Sequence, residues 1–204
     1  MKIKLLIKGK TSTKKKKKNQ KNNQMEKKGQ YYVEMNAINW PKEYLPGTTD
    51  NFCSNEVITK GITSKEVWYY LTDASLWPTY YSNSGDIKMY NQEKTILNKN
   101  TKFHFSTFGF PIEAEIIEFI PPEKGKEGRI AWHGWAEGDA EKRLDVVHAW
   151  LIEDLDGGRC RILTQESQKG KPAVQLHNSH PNTMINGHQD WLDGLAKVTL
   201  KNKK

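Results

Sequence analysis

Residues 109–134 read GFPIEAEIIEFIPPEKGKEGRIAWHG. Two stretches of period two stand on either side of a break. In the first, Ile112, Ala114 and Ile116 alternate with Glu113 and Glu115. In the second, Ile130, Trp132 and Gly134 alternate with Arg129, Ala131 and His133. Alternation of this kind puts each set on one face of a strand. The break from Pro121-Pro122 to Gly128 is turn chemistry. Consecutive strands joined by a short turn are antiparallel.

The period extends both ways. DIKMYN (86–91), TKFHFSTFG (101–109), RLDVVHAWLIE (143–153) and RCRILTQES (159–167) are further strand candidates. Turns fall at Asn98-Lys99-Asn100, Gly109 to Pro111, Gly138-Asp139 and Asp156-Gly157-Gly158. Upstream, SNEVITKGIT (54–63) reads as a first strand, and Ser64 as the N-cap of a helix over KEVWYYLTD (65–73). ASLWPTYYSNSG (74–85) holds a second short helix, bent or ended near Pro78. After GKPA (170–173), Met184, His188, Trp191, Leu195 and Val198 form one apolar stripe at helical spacing. The expected class is α+β, with a curved antiparallel seven-stranded sheet wrapped on a long C-terminal helix. Two short helices follow the first strand. The wedge between such a sheet and helix suits an apolar ligand.

The charge is unevenly placed. The chain of 204 residues has Lys+Arg 32 against Asp+Glu 24, a formal net charge of +8. Residues 1–30 hold twelve lysines and one acid, Glu26, which leaves 20 basic and 23 acidic residues in the remainder, a balance of −3. The basic pI belongs to the tail, so no specific nucleic-acid face is expected on the domain. Lysine density and the lack of apolar residues over 8–28 lead to the expectation of a disordered tail, 1–30. An AT-rich upstream frame read through in translation yields such a Lys/Asn/Ile stretch, and a start at Met25 is the corresponding expectation. Residues 31–51, with Tyr31, Tyr32, Trp40, Pro41, Tyr44 and Pro46 and no sustained period, are expected as an irregular arm. The ligand-binding domain is expected over 52–204.

Cys53 and Cys160 are too few for a disulfide framework and read as buried thiols of a reducing cytosol. No apolar run approaches the ~20 residues that span a bilayer. The apolar centre of MKIKLLIKGK, Leu5-Leu6-Ile7, is shorter than the roughly 7–15 residues of a secretory leader. A cytoplasmic monomer is the expected state.

Four stretches carry a family likeness: 57–83 (VITKGITSKEVWYYLTDASLWPTYYSN), 109–134, 148–170 (HAWLIEDLDGGRCRILTQESQKG) and 187–195 (GHQDWLDGL). Over roughly residues 52–200 the sequence resembles the START / Bet v 1-like (SRPBCC) superfamily. These are helix-grip domains that include polyketide cyclase/dehydrase-like and lipid-transfer members. The resemblance implies the helix-grip fold and a cavity between sheet and C-terminal helix. It carries no catalytic motif, because carriers, sensors and enzymes share the scaffold.

Alternation assigns the inward faces. The inward sets are Phe103, Phe105 and Thr107; Ile112, Ala114, Ile116, Glu118 and Ile120; Ile130, Trp132, Gly134 and Ala136; Leu144, Val146, His148, Trp150 and Ile152; and Cys160, Ile162, Thr164 and Glu166. His133 and Trp135 then face outward. The expected ligand-binding residues are Trp68, Phe103, Phe105, Ala114, Ile116, Trp132, Val146, His148, Trp150, Ile162, Thr164, Met184, His188 and Trp191. The tryptophans among them serve equally well to fill a core.

His148, Glu166, Glu118 and His188 are the catalytic candidates, since a carboxylate opposite an imidazole in a cavity can move protons. The same groups also make an ordinary buried network. Three readings of function follow. One is a carrier of a lipid, polyketide or isoprenoid-like molecule, the second a cyclase- or dehydratase-like enzyme using a His/Glu pair, and the third a protein–protein adaptor. His177 and His180 form H-x-x-H in an expected loop, with His188 beyond, but no acidic residue lies between 167 and 189, and no metal site is expected. No nucleophile elbow, P-loop or dinucleotide fingerprint occurs, and no cofactor is expected.

Overall fold

The computed structural model describes residues 3–7, 25–27 and 30–202. It divides into two units, 1–39 and 40–204. In the first, β1 (Ile3–Ile7), β2 (Met25–Lys27) and β3 (Gln30–Met35) form an antiparallel sheet with β3 in the middle. The aromatic stretch read as irregular is thus strand as far as Met35. Of the tail 1–30 expected to be disordered, Ile3–Ile7, Met25–Lys27 and Gln30 are described, and all are strand; the others lie outside the described residues.

The second unit runs β4 (Asn51–Lys60), α1 (Ser64–Thr72), α2 (Trp77–Tyr80), β5 (Ser84–Met89), β6 (Lys102–Thr107), β7 (Phe110–Ile120), β8 (Gly128–Ala136), β9 (Leu144–Leu155), β10 (Arg159–Lys169), α3 (Lys171–Asn178) and α4 (Thr183–Lys201). Its seven strands are antiparallel in the order β4-β10-β9-β8-β7-β6-β5, with α4 packed on β4, β10 and the two short helices. This is the expected α+β helix-grip architecture. Successive strands β5 to β10 are neighbours, as short turns require. β4 joins at the far edge through β10, with Val57 opposite Ile162 and Cys53 opposite Glu166.

Local chemistry departs from the sequence reading at several ends. Thr63, not Ser64, caps α1: its hydroxyl accepts from Glu66 N, and the Glu66 carboxylate accepts from Thr63 N at 2.7 Å, a reciprocal capping box. Ser64 instead gives its N–H and hydroxyl to Asp154, at 2.7 and 2.8 Å. Pro78 sits in the first turn of α2, where a missing N–H costs nothing, so it starts that helix rather than ending it. Residues 171–178 are helical, so that His177 of the H-x-x-H pair is on a helix. The α4 stripe closes on buried Thr199, with Val198 half-buried, because a straight helix drifts from strict i, i+7 spacing.

The interior is filled by aromatic rings. Trp77, Trp132, Trp150 and Trp191 are fully buried. Trp77 meets Trp191 at 5.2 Å and Trp132 at 5.9 Å between centroids, and Trp150 meets Trp191 at 5.3 Å. Tyr81 stacks on Trp191 at 4.5 Å. Trp77 comes from α2 and its indole N–H donates to Leu71 O at 2.8 Å. Cys53 and Cys160 are buried and unbridged, and burial pushes both thiols up to about 12. No described helix is long and apolar enough to cross a membrane.

Candidate functional site

The middle strands place polar side chains at one end of this apolar wedge. On β9 and β10 the inward phase carries His148 and Glu166, which are cross-strand partners. Facing them, α4 contributes His188. All three are buried. His148 Nδ1 lies 2.9 Å and His188 Nε2 3.5 Å from the same oxygen, Glu166 Oε2. The two imidazoles lie 4.7 Å apart, tilted by 30°. His148 is further wedged against Trp132 at 4.6 Å and Trp150 at 5.4 Å.

Amides orient the carboxylate. The Gln168 amide N–H donates to Glu166 Oε1. Asn51 Nδ2 donates to Gln168 Oε1 at 2.6 Å, and Asn182 Nδ2 donates to Asn51 Oδ1 at 3.2 Å. Asn182 is also the N-cap of α4, accepting from Met184 N at 3.0 Å. The helix start and the buried charge are therefore held by one chain of hydrogen bonds. On the other side, His148 Nε2 is 2.7 Å from Thr164 Oγ1.

Burial outweighs the pull of Glu166 and takes the His148 pKa down to about 4, so the ring is neutral at physiological pH. Burial also pushes Glu166 up, but His148, followed by His188, overcomes that and holds the carboxyl below the usual range. A neutral His148 that donates through Nδ1 leaves its Nε2 to accept from the Thr164 hydroxyl. One nitrogen is left over: His188 Nδ1 is buried and finds no hydrogen-bond partner among the described residues. Thr107 Oγ1 and Trp191 Nε1, nearby, make no hydrogen bond of normal geometry either. Unpaired buried groups of this kind are rare.

A cavity of about 20 Å3 opens at this end, lined by Phe105, Thr107, Phe108, Trp132, Val146, Met184 and Trp191 around the three polar groups. That is room for about one water. Phe108 is part of its wall. It sits in the β6–β7 turn with a positive φ of 51°, followed by Gly109 at 78°. Its ring rests on Gly187 of α4, where an added Cβ would meet the ring at 2.1 Å.

Of the expected ligand-binding residues, Phe105, Trp132, Val146, His148, Met184, His188 and Trp191 line this cavity. Thr164 is reached through His148. Phe103, Ala114, Ile116, Trp150 and Ile162 are inward but belong to the packed core. Trp68 is half-buried beside Phe119, at 5.3 Å.

Glu118 is a correction. A bulge between Ile116 and Glu118 shifts the register, so that Phe119 pairs with Ile130 and Glu118 with Ala131 on the opposite face. Ile120, also read as inward, is exposed for the same reason. His133 is on the outer face, with Nε2 2.8 Å from Asp145 Oδ1, an oxygen that also accepts from the Tyr44 hydroxyl. His177 lies in the last turn of α3, not in a loop. The residues missed were Phe108, Gln168 and Asn51. Gln168 keeps the phase of Thr164 and Glu166, and two more residues of strand would have revealed it.

The chain is similar to the hypothetical protein jhp0584 from Helicobacter pylori, with 56% identity over 81% of this chain and 97% of that one, at a TM-score of 0.78. It belongs to that protein's family. Its fold is the helix-grip fold, shared with solved structures of low identity. Norcoclaurine synthase from Thalictrum flavum, solved with dopamine and hydroxybenzaldehyde, matches the chain in fold at TM-score 0.51 and 12% identity, covering 76% of this chain and 88% of that one. The di-domain ARO/CYC BexL matches at 0.54 and 9%, covering 76% and 48%. No protein-family model matches the chain, and no curated protein does.

Proposed function

We propose that this Bet v 1-like protein binds a hydrophobic small molecule, of lipid, polyketide or isoprenoid kind, at the polar end of the wedge between sheet and α4. The observation that carries the reading is the unpartnered Nδ1 of His188, a lining residue of a cavity whose walls away from the polar cluster are mostly apolar. A ligand hydroxyl donates to the bare nitrogen, and the ligand's apolar body displaces Phe108. The tryptophan-filled centre leaves the ligand only this end of the wedge. The likeness in fold to a norcoclaurine synthase solved with two small aromatic molecules is compatible with this reading.

A second reading is a cyclase- or dehydratase-like reaction in the same place. It rests on the Glu166–His188 contact of 3.5 Å, in which the carboxylate orients an imidazole whose other nitrogen is free to take a proton. His148 is less suited, since both its nitrogens are engaged.

Thermal-shift measurements with matched pairs of compounds, one bearing a hydroxyl and one lacking it, test the binding reading. The oxygenated member raises Tm more, and His188→Leu removes the difference. Equal shifts within every pair would sink the assignment of His188 as the polar anchor.

A further inference from the structure

One ligand atom from each of His148, Glu166 and His188 lies within 4.8 Å of both others. Donor atoms bound to a small first-row ion at about 2.0–2.2 Å stand roughly 3–3.5 Å apart. The contacts of His148 Nδ1 and His188 Nε2 to Glu166 Oε2 are 2.9 and 3.5 Å. We infer that these three side chains form a binding site for a divalent first-row transition ion of the Zn2+ or Fe2+ kind.

The surroundings fit such an ion. A metal-bound imidazole must donate its other N–H, and His148 Nε2 has Thr164 Oγ1 at 2.7 Å. Thr164 can serve both states. It donates to a bare Nε2, or it accepts from Nε2–H and turns its own proton to Ala149 O at 3.4 Å. The second carboxylate oxygen is held by Gln168, which Asn51 orients in turn. Two histidines and one carboxylate leave coordination positions open. The adjoining cavity of about 20 Å3 holds one water or ligand oxygen there. An ion also explains why a carboxylate and two imidazoles are gathered in an aromatic interior with His188 Nδ1 unpaired. Once Nε2 is given to the metal, Nδ1 carries the proton and bonds the contents of the cavity.

The probe is Co2+, added to the EDTA-stripped full chain and followed by visible d–d absorption, then chased with Zn2+. One equivalent saturates the band and Zn2+ bleaches it. His188→Gln weakens binding ~10-fold or more with unchanged far-UV circular dichroism, as does Glu166→Gln, while His177→Ala leaves it unchanged. If Glu166→Gln does not fold, His188→Gln carries the comparison. A folded wild-type chain without a saturable Co2+ band overturns the inference. So does a band indifferent to His188→Gln, or one lost in His177→Ala. The compound-pair measurements run in EDTA report on apolar ligand binding alone, so either idea can fail without the other.

Discussion

Replacing Gly187 by alanine tests whether Phe108 closes the cavity. The new Cβ would stand 2.1 Å from Phe108 Cζ and 2.6 Å from Cε1, where carbon atoms normally keep about 3.5–4.0 Å. The ring must retreat by about 1.5 Å or swing out. Alanine gains about 1 kcal/mol over glycine within a helix, and overpacking costs about 1–3 kcal/mol. The net effect in the wild-type background therefore runs from no change to a loss of about 2 kcal/mol. In a Phe108→Ala background the obstacle is gone, and the same substitution stabilises by about 1 kcal/mol. Urea unfolding of the four proteins in this cycle measures the coupling, and stopped-flow binding of an apolar dye measures access. Both the single variants and the double variant admit the dye faster. Stabilisation of equal size in both backgrounds, with unchanged dye kinetics, would refute the seating of Phe108 on Gly187.

Gly194→Ala puts a Cβ 2.0 Å from the backbone oxygen of Tyr80, which cannot rotate away. It is expected to lower Tm more than Gly187→Ala, and a rise in Tm would contradict the close approach of α2 and α4. Trp77→Ala removes the ring that joins Trp132 to Trp191 and costs about 3–5 kcal/mol in denaturant unfolding; a loss below about 1 kcal/mol would mean that the ring is not central. Acid sensitivity follows from His148, whose pKa is lowered from 6.5 to about 4 in the folded chain. The unfolded chain takes up a proton that the folded one refuses, so stability falls as pH drops from about 6.5 towards 4, by on the order of 3 kcal/mol. Glu166, also lowered, adds a loss as pH falls through and below the ordinary carboxylate range. In EDTA, His148→Asn flattens the slope of Tm against pH between 7 and 5, and an unchanged slope would count against a buried neutral His148.

The alternation of β8, β9 and β10 was enough to turn Trp132, His148 and Glu166 inward and His133 outward, because in each strand one alternate set is clearly the more apolar and the arginines fall on the other. It failed in β7, where one extra residue at Ile117 reverses every later side chain and takes Glu118 away from the site. No pattern in the sequence marks such a bulge. His188 was legible from the helical stripe, but its meeting with Glu166 was only expected from the fold. The contact of Phe108 with Gly187 was hidden for a different reason. Phe108 lies in a turn and Gly187 has no side chain, so neither contributes to a periodic signal, and their contact exists only once α4 crosses the β6–β7 hairpin. Asn51 is hidden in the same way, since its role depends on β4 pairing with β10 at the far end of the chain. Met25–Lys27, rich in charge, pairs because β3 offers it an edge, which local composition does not encode.

The claim that the polar-ended cavity is a ligand site is tested most directly by native mass spectrometry of the purified chain, as wild type and as the Phe108→Ala and His188→Leu variants. The account predicts a small compound that stays with the wild type, leaves on denaturation, exchanges faster in Phe108→Ala and is depleted in His188→Leu. The mass of the bare chain in all three, with no compound retained after incubation with the oxygenated members of the test pairs, would contradict it.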